Sequence, residues 1–283
     1  MMEAIKKSTI AATSVLSTIL TFAPESVFSK IHWLPKDLLL LEWIKSHSEE
    51  IETIGTRVAL FCLVWVLISI GFGLYYHFRR KKVIKHRNYS ISVEYGDLLA
   101  VKKAKKVINF DECFSTKVGP MPADVDENSI CGQYLKNHPI DNMQELITCA
   151  GLTPLNTKSR YHNQECYKPG SLVPLGDSLL MAFAKLDENG SGTFFSREEY
   201  CQCLDHLWQE IDKHFGHEDV CIPILGSGRT RFSGGSGESL SQQELLDLMI
   251  YSYTLSSHKI KNPYKLRIIC RKAEGFSLNN IMQ

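Results

Sequence analysis

The sequence predicts an α/β fold, a mixed sheet covered by helices, preceded by an N-terminal membrane-spanning helical hairpin. Three observations predict it. Short β-rich runs alternate with capped, amphipathic helical stretches from residue 91 onward. An unbroken apolar run of 21 residues, 58–78, is followed at once by a cluster of basic residues. The remaining composition is that of an ordinary globular protein, with 44% apolar and 10% aromatic residues in 283.

The membrane elements come first in the chain. VALFCLVWVLISIGFGLYYHF (58–78) is long enough to cross the ~30 Å hydrocarbon core as a helix. RRKKVIKHR follows, six Lys/Arg between Arg79 and Arg87, and the positive-inside rule holds that end in the cytoplasm. A weaker apolar stretch, 8–23, follows Lys6 and Lys7. Its length also suits the hydrophobic part of a signal peptide, but Pro24 opposes cleavage after Ala23, so a first span is expected. The segment 25–57 is then external, with Trp33, Leu34, Leu38, Leu41 and Trp43 suited to the interface. The expected organisation is a hairpin over 1–78, a basic juxtamembrane linker over 79–90 and a cytosolic domain over 91–283. Such a hairpin is too small to enclose a pore alone, so a homo-oligomer is expected at an inner (plasma) membrane.

Charge and cysteine content exclude several classes. With 32 Lys+Arg against 31 Asp+Glu, the chain lacks the basic body of a nucleic-acid-binding protein. The basic excess is local: the first 90 residues carry 12 Lys+Arg and 7 Asp+Glu. Nine scattered cysteines without a CxxC pair do not form a disulfide scaffold or a zinc knuckle. Reduced, mostly buried thiols are expected.

In the cytosolic part, ISVEY (91–95), VINF (107–110), VCIPIL (220–225) and KLRIIC (265–270) read as covered strands. Ser196 with Glu199, and Ser241 with Glu244, are capping boxes. Tyr200, Leu204, Leu207, Trp208 and Ile211 follow the first as a helical stripe; Leu245, Leu248, Met249 and Tyr253 follow the second. SLLMAFAKL (178–186) fits a strand or a two-turn helix, and the residues leave that choice open.

Two loops carry candidate chemistry. A strand ending at Leu225 opens into Gly226-Ser227-Gly228-Arg229-Thr230-Arg231 before a helix near Ser241. Glycines let backbone N–H groups converge on phosphate oxygens, and Arg229 and Arg231 add charge. The spacing fits neither GxGxxG nor a Walker loop, and a plain tight turn remains an equal reading. Asp97, just past the first strand, suits either an adenine amino group or a helix N-cap. Asp187 to Glu198 matches the EF-hand oxygen spacing, but no second such loop is present. No HExxH, GxSxG or spaced Cys–His pair appears, so nothing demands catalysis or a metal.

Together these motifs bring a resemblance. The Gly96-Asp97 step, the late strand feeding a GSG loop, and the runs VINFDECFSTKV, CGQYL, YKPGSLVPLGD, LWQEID, IPILGSGRTRF and SQQELL are similar to a divergent macro-like domain. The domain is that of the Thoeris anti-phage effector that carries transmembrane helices. The resemblance implies a sensor, not an enzyme, with no cofactor. Its ligand would be an ADP-ribose derivative, a histidine conjugate made by a partner TIR-domain enzyme. Binding would trigger oligomerisation and membrane disruption, ending in cell death or growth arrest. It further implies that Asp97 meets adenine and that Gly226, Ser227, Gly228, Arg229 and Thr230 hold the diphosphate and distal ribose. Asp111 and Glu112 stand where common macro domains carry an Asn-rich loop, a departure that suits binding a cationic ligand end; they read equally as turn residues. A membrane-tethered ADP-ribosyl hydrolase and a calcium-responsive membrane protein are the alternatives.

Overall fold

A computed structural model describes residues 9–11, 13–15, 17–18, 48–194, 196–228, 230–232 and 240–281. The chain divides into two compact units, Met1–Arg79 and Arg80–Gln283. In the first, α1 (Ser48–Phe78) is 31 residues long. Within it Arg57–Phe78 is long and apolar enough to cross a membrane, and none of its apolar window is buried within the chain. The expected first span, 8–23, and its external loop lie mostly outside the described residues. The described pieces of 9–18 are helical.

The second unit is built on a nine-stranded mixed sheet. Its strands are β1 (Lys81–Lys85), β2 (Ser90–Tyr95), β3 (Lys105–Asp111), β4 (Leu172–Leu175), β5 (Ser178–Leu186), β6 (Gly192–Phe194), β7 (Val220–Pro223), β8 (Arg231–Phe232) and β9 (Leu266–Cys270). The order is β1-β2-β9-β7-β3-β5-β6-β8, with β4 also on β5. The five central strands β2, β9, β7, β3 and β5 all run parallel. Their carboxyl ends therefore meet at one edge. The ambiguous 178–186 run is the strand β5, as its near-continuous burial between neighbours requires.

Alternation of side chains sorts the sheet into two faces. Val93, Val107, Met181, Ile222 and Ile268 point to one, where α4 (Arg197–His214) and α5 (Gln242–Leu255) cover them. Ile108, Phe110, Ala182, Cys221 and Ile269 point to the other, beneath α2 (Ile130–Asn137) and α3 (Met143–Cys149). The expected stripe of α4, Tyr200 to Ile211, is wholly buried. Ser196 caps α4 by accepting from the Glu199 N–H, while the Glu199 carboxylate is held by Lys185 at 2.8 Å. Ser241 and Glu244 form the full reciprocal box on α5. Trp208 Nε1 donates to Ser252 Oγ at 2.9 Å and ties the two helices together.

The segment 79–90 is not the linker its charge suggested. Lys81–Lys85 forms the edge strand β1, antiparallel to β2. Lys82 turns inward, 5% exposed, and its Nζ donates to the Ile281 carbonyl at 2.7 Å; Ile84 packs beside it on the core. Outward Lys81 and Lys85 are the kind of charge that keeps a sheet edge from pairing with another chain. All nine cysteines are free, and five are buried.

Candidate functional site

Parallel strands dictate where this fold can take a ligand. Loops at the carboxyl ends of α/β strands are free to differ, while the opposite ends are bound to the chain's return paths. The described residues among those expected fall at that edge: Asp97 after β2, Asp111 and Glu112 at the end of β3, and Gly226, Ser227, Gly228 and Thr230 after β7.

At the end of β2 the Gly96 N–H donates to the Cys270 carbonyl at 3.1 Å, joining the loops that follow β2 and β9. Asp97 is exposed, and its Oδ1 accepts from the Leu99 N–H at 3.0 Å, an Asx-turn that fixes the carboxylate's direction. Among the described residues no donor reaches its second oxygen.

The loop after β7 is fixed at its root and open at its tip. Tyr200, fully buried on α4, donates its hydroxyl to the Leu225 carbonyl at 3.0 Å. The Leu225 N–H points at Met249 Sδ of α5, 3.4 Å away. Gly226 has φ +81°, a left-handed conformation that costs glycine little and other residues more. Ser227 Oγ donates back to the Ile224 carbonyl at 2.7 Å, closing the turn. Beyond it Gly228 is exposed, and a Cβ placed there would meet nothing within 4 Å. Arg229 lies outside the described residues, as does the side chain of Arg231. The backbone of Arg231 pairs with β6.

The carboxylates at the end of β3 serve the scaffold. Glu112 is 4% exposed; its Oε1 accepts from Ser159 Oγ at 2.7 Å and from the Leu186 N–H at 3.0 Å. Its backbone carbonyl accepts from the Tyr167 N–H. This side chain clamps three segments together and is not presented to a ligand, a correction to the sequence-based expectation. Asp111 Oδ1 accepts from the N–H groups of Cys113 and Ser115 at 2.8 and 3.1 Å, holding Phe114 at φ +55°. Burial pushes the Asp111 carboxyl above the usual range, against the lowering effect of these hydrogen bonds. Cys113 beside it is pushed up to about 12 by burial and by Asp111, which keeps the thiol protonated.

The EF-hand spacing resolves differently. No helix enters the loop: β5 does. Asp187 Oδ1 accepts from the N–H groups of Asn189 and Ser191, and β6 follows from Gly192. Among the described residues no cluster of three or more His, Cys, Asp or Glu gathers as a metal site. A cavity of about 450 Å³ lined by Lys168, Ser171, His206 and the 151–156 loop contains none of the expected residues. Sequence reading missed Tyr200 and Met249, because a loop-bracing role leaves no trace in spacing.

The fold and this edge define an α/β domain of the kind that takes ligands across the ends of its parallel strands. Residues 91–271 match the family described as Thoeris protein ThsA, Macro domain, and the chain belongs to that family. It is similar to Thoeris protein ThsA of Bacillus amyloliquefaciens (strain Y2), 26% identical over 200 residues. That match covers 67% of this chain and 65% of the relative, so it spans just under two thirds of the relative's length. Among solved structures, a mutant Oceanobacillus iheyensis macrodomain with ADPR gives a TM-score of 0.38 at 7% identity, covering 68% of this chain and 90% of that one. The same macrodomain with MES bound gives 0.37 at 10% identity, with 69% and 90% covered.

Proposed function

We propose that this chain is a membrane-anchored effector of a bacterial anti-phage system whose macro domain binds an ADP-ribose derivative. The observation that carries the reading is the placement of Asp97 and the Gly226–Gly228 loop at one sheet edge, in a chain of this family. Asp97 offers an oxygen to the adenine amino group. Gly226, Gly228 and Thr230 offer backbone N–H groups to a diphosphate, Ser227 closes the turn that presents them, and Arg229 and Arg231 supply charge. The ligand is a histidine conjugate produced by a TIR-domain partner. Binding drives self-association, and the N-terminal helices then breach the bilayer and arrest the cell.

Binding rather than turnover is supported by the chemistry at the end of β3. Asp111 is occupied by its own loop, Glu112 by the scaffold, and the Cys113 thiol stays protonated. Membrane anchoring is supported by the apolar length of Arg57–Phe78.

The test is thermal unfolding of the full chain in detergent with ADP-ribose, its histidine conjugate or NAD in separate samples. Ligand at about 100 times its dissociation constant adds about 2.7 kcal/mol. In a domain of this size that raises the midpoint by roughly 5–10 °C. The conjugate is expected to give the shift, and Gly228→Val, which fills open space without touching the fold, to abolish it. No shift with any of the three nucleotides sinks the reading.

A further inference from the structure

A diphosphate ligand brings two negative charges to an edge where the sequence had placed carboxylates. The five residues that follow each parallel strand are Gly96–Ala100 after β2, Arg271–Gly275 after β9, Ile224–Gly228 after β7, Glu112–Thr116 after β3 and Asp187–Ser191 after β5. Within these windows the cations are Arg271 and Lys272 after β9; Arg229 stands one residue beyond the window after β7 and lies outside the described residues. The strand order β2-β9-β7 sets that position between Asp97 on one side and the glycine loop on the other. Hydrogen bonds hold it there. The Gly96 N–H donates to the Cys270 carbonyl, and Gln242 Nε2 from the first turn of α5 donates to the Arg271 carbonyl at 3.3 Å.

The two cations differ in what they already do. Lys272 Nζ lies 6.0 Å from the centroid of the Tyr95 ring, which commits it to that aromatic face. Arg271 is exposed, and no ion pair or hydrogen bond of its guanidinium is recorded among the described residues. Its backbone is fixed while its side chain is uncommitted, at the end of a strand that lies between β2 and β7. A guanidinium presents paired N–H donors that match phosphate oxygens.

We propose that Arg271 is a further phosphate-binding cation of this site, beside the charge of Arg229 and Arg231, and contributes to its preference for nucleotides over nucleosides. The inference rests on the proposed nucleotide reading and adds a residue to it. An anionic diphosphate leaving Asp97 toward the glycine loop crosses the end of β9, where the guanidinium meets it. Gln242 holds the backbone of Arg271 in place through its bond to the Arg271 carbonyl.

The experiment is calorimetric titration of the full chain in detergent with the histidine conjugate of ADP-ribose and, in parallel, with ADP-ribose, at two salt concentrations, and competition by adenosine. Arg271→Ala is expected to weaken the conjugate, and ADP-ribose where it binds, roughly 10- to 100-fold, the value of a charge-assisted phosphate contact. It should flatten the salt dependence and leave adenosine competition unchanged. Arg271→Lys should restore part of the affinity, since it keeps the charge and loses the paired donors. Conjugate affinity within twofold of wild type, or an equal loss for adenosine, overturns the proposal while leaving the nucleotide reading intact. Failure of the wild type to bind ADP-ribose or its histidine conjugate removes both. Because the side chain is exposed and uncommitted, ligand-free unfolding midpoints should match, which separates lost binding from lost folding.

Discussion

Tyr200→Phe tests whether the glycine loop is held from beneath. The change removes one oxygen and keeps the ring, so the edge-on packing against Phe183 and Phe194 at centroid distances of 6.3 and 5.5 Å is retained. What is lost is the 3.0 Å hydrogen bond to the Leu225 carbonyl, in a residue with no exposed surface. A net hydrogen bond is worth about 1 kcal/mol, and a buried acceptor left without a donor costs about 1–3 kcal/mol. We expect a loss of about 1.5 kcal/mol, which lowers the unfolding midpoint by roughly 3–6 °C. The second consequence is local. Leu225 immediately precedes Gly226, so a root released from α4 lets the loop sample states that do not bind. Affinity for ADP-ribose should fall several-fold, as the competent fraction falls. Scanning fluorimetry and calorimetric titration of the full chain measure the two effects. A midpoint within about 1 °C of wild type, with unchanged affinity, would refute the claim that this hydroxyl braces the site.

Glu112→Ala should be among the more damaging substitutions at this edge, at about 2–3 kcal/mol, because it strands Ser159 and the Leu186 N–H in the interior; denaturant midpoints measure it. Asp111→Asn tests a pH effect. The folded carboxyl is held above its unfolded value, so the folded state binds more protons between the two, and this group's contribution to stability falls as pH rises through that window. Asn keeps an acceptor oxygen and removes the buried charge, so the variant should lose this part of the pH dependence when midpoints are compared from pH 4 to 7. Lys82→Ala should detach β1 from the C-terminal segment by removing the bond to the Ile281 carbonyl, read as faster amide exchange in 81–85 with slower change in β7.

Much of the domain was legible because its signals were local. Short β-rich runs at 91–95, 107–110, 220–225 and 265–270 became β2, β3, β7 and β9, and two Ser-x-x-Glu caps opened α4 and α5. Three features were not legible, each for a physical reason. In β1 the alternation of Lys82 and Ile84 was hidden by charge: a lysine that reaches a buried carbonyl has the same letter as one that faces solvent. At the end of β3, Glu112 read as a surface carboxylate because its donors, Ser159 and Leu186, are 47 and 74 residues away in sequence. At the loop after β7, composition pointed to the glycines but not to their supports. Tyr200 and Met249 belong to helices whose stripes read simply as core, and a core residue with one polar atom aimed at a backbone looks like any other. The candidate site is therefore a case where the tip of a loop was visible in sequence and its root was not. The two are not independent, since backbone donors converge on a ligand only when the turn that presents them is fixed. On the proposed nucleotide reading, the buried hydroxyl of Tyr200 thus belongs to the binding chemistry as much as the exposed glycines do.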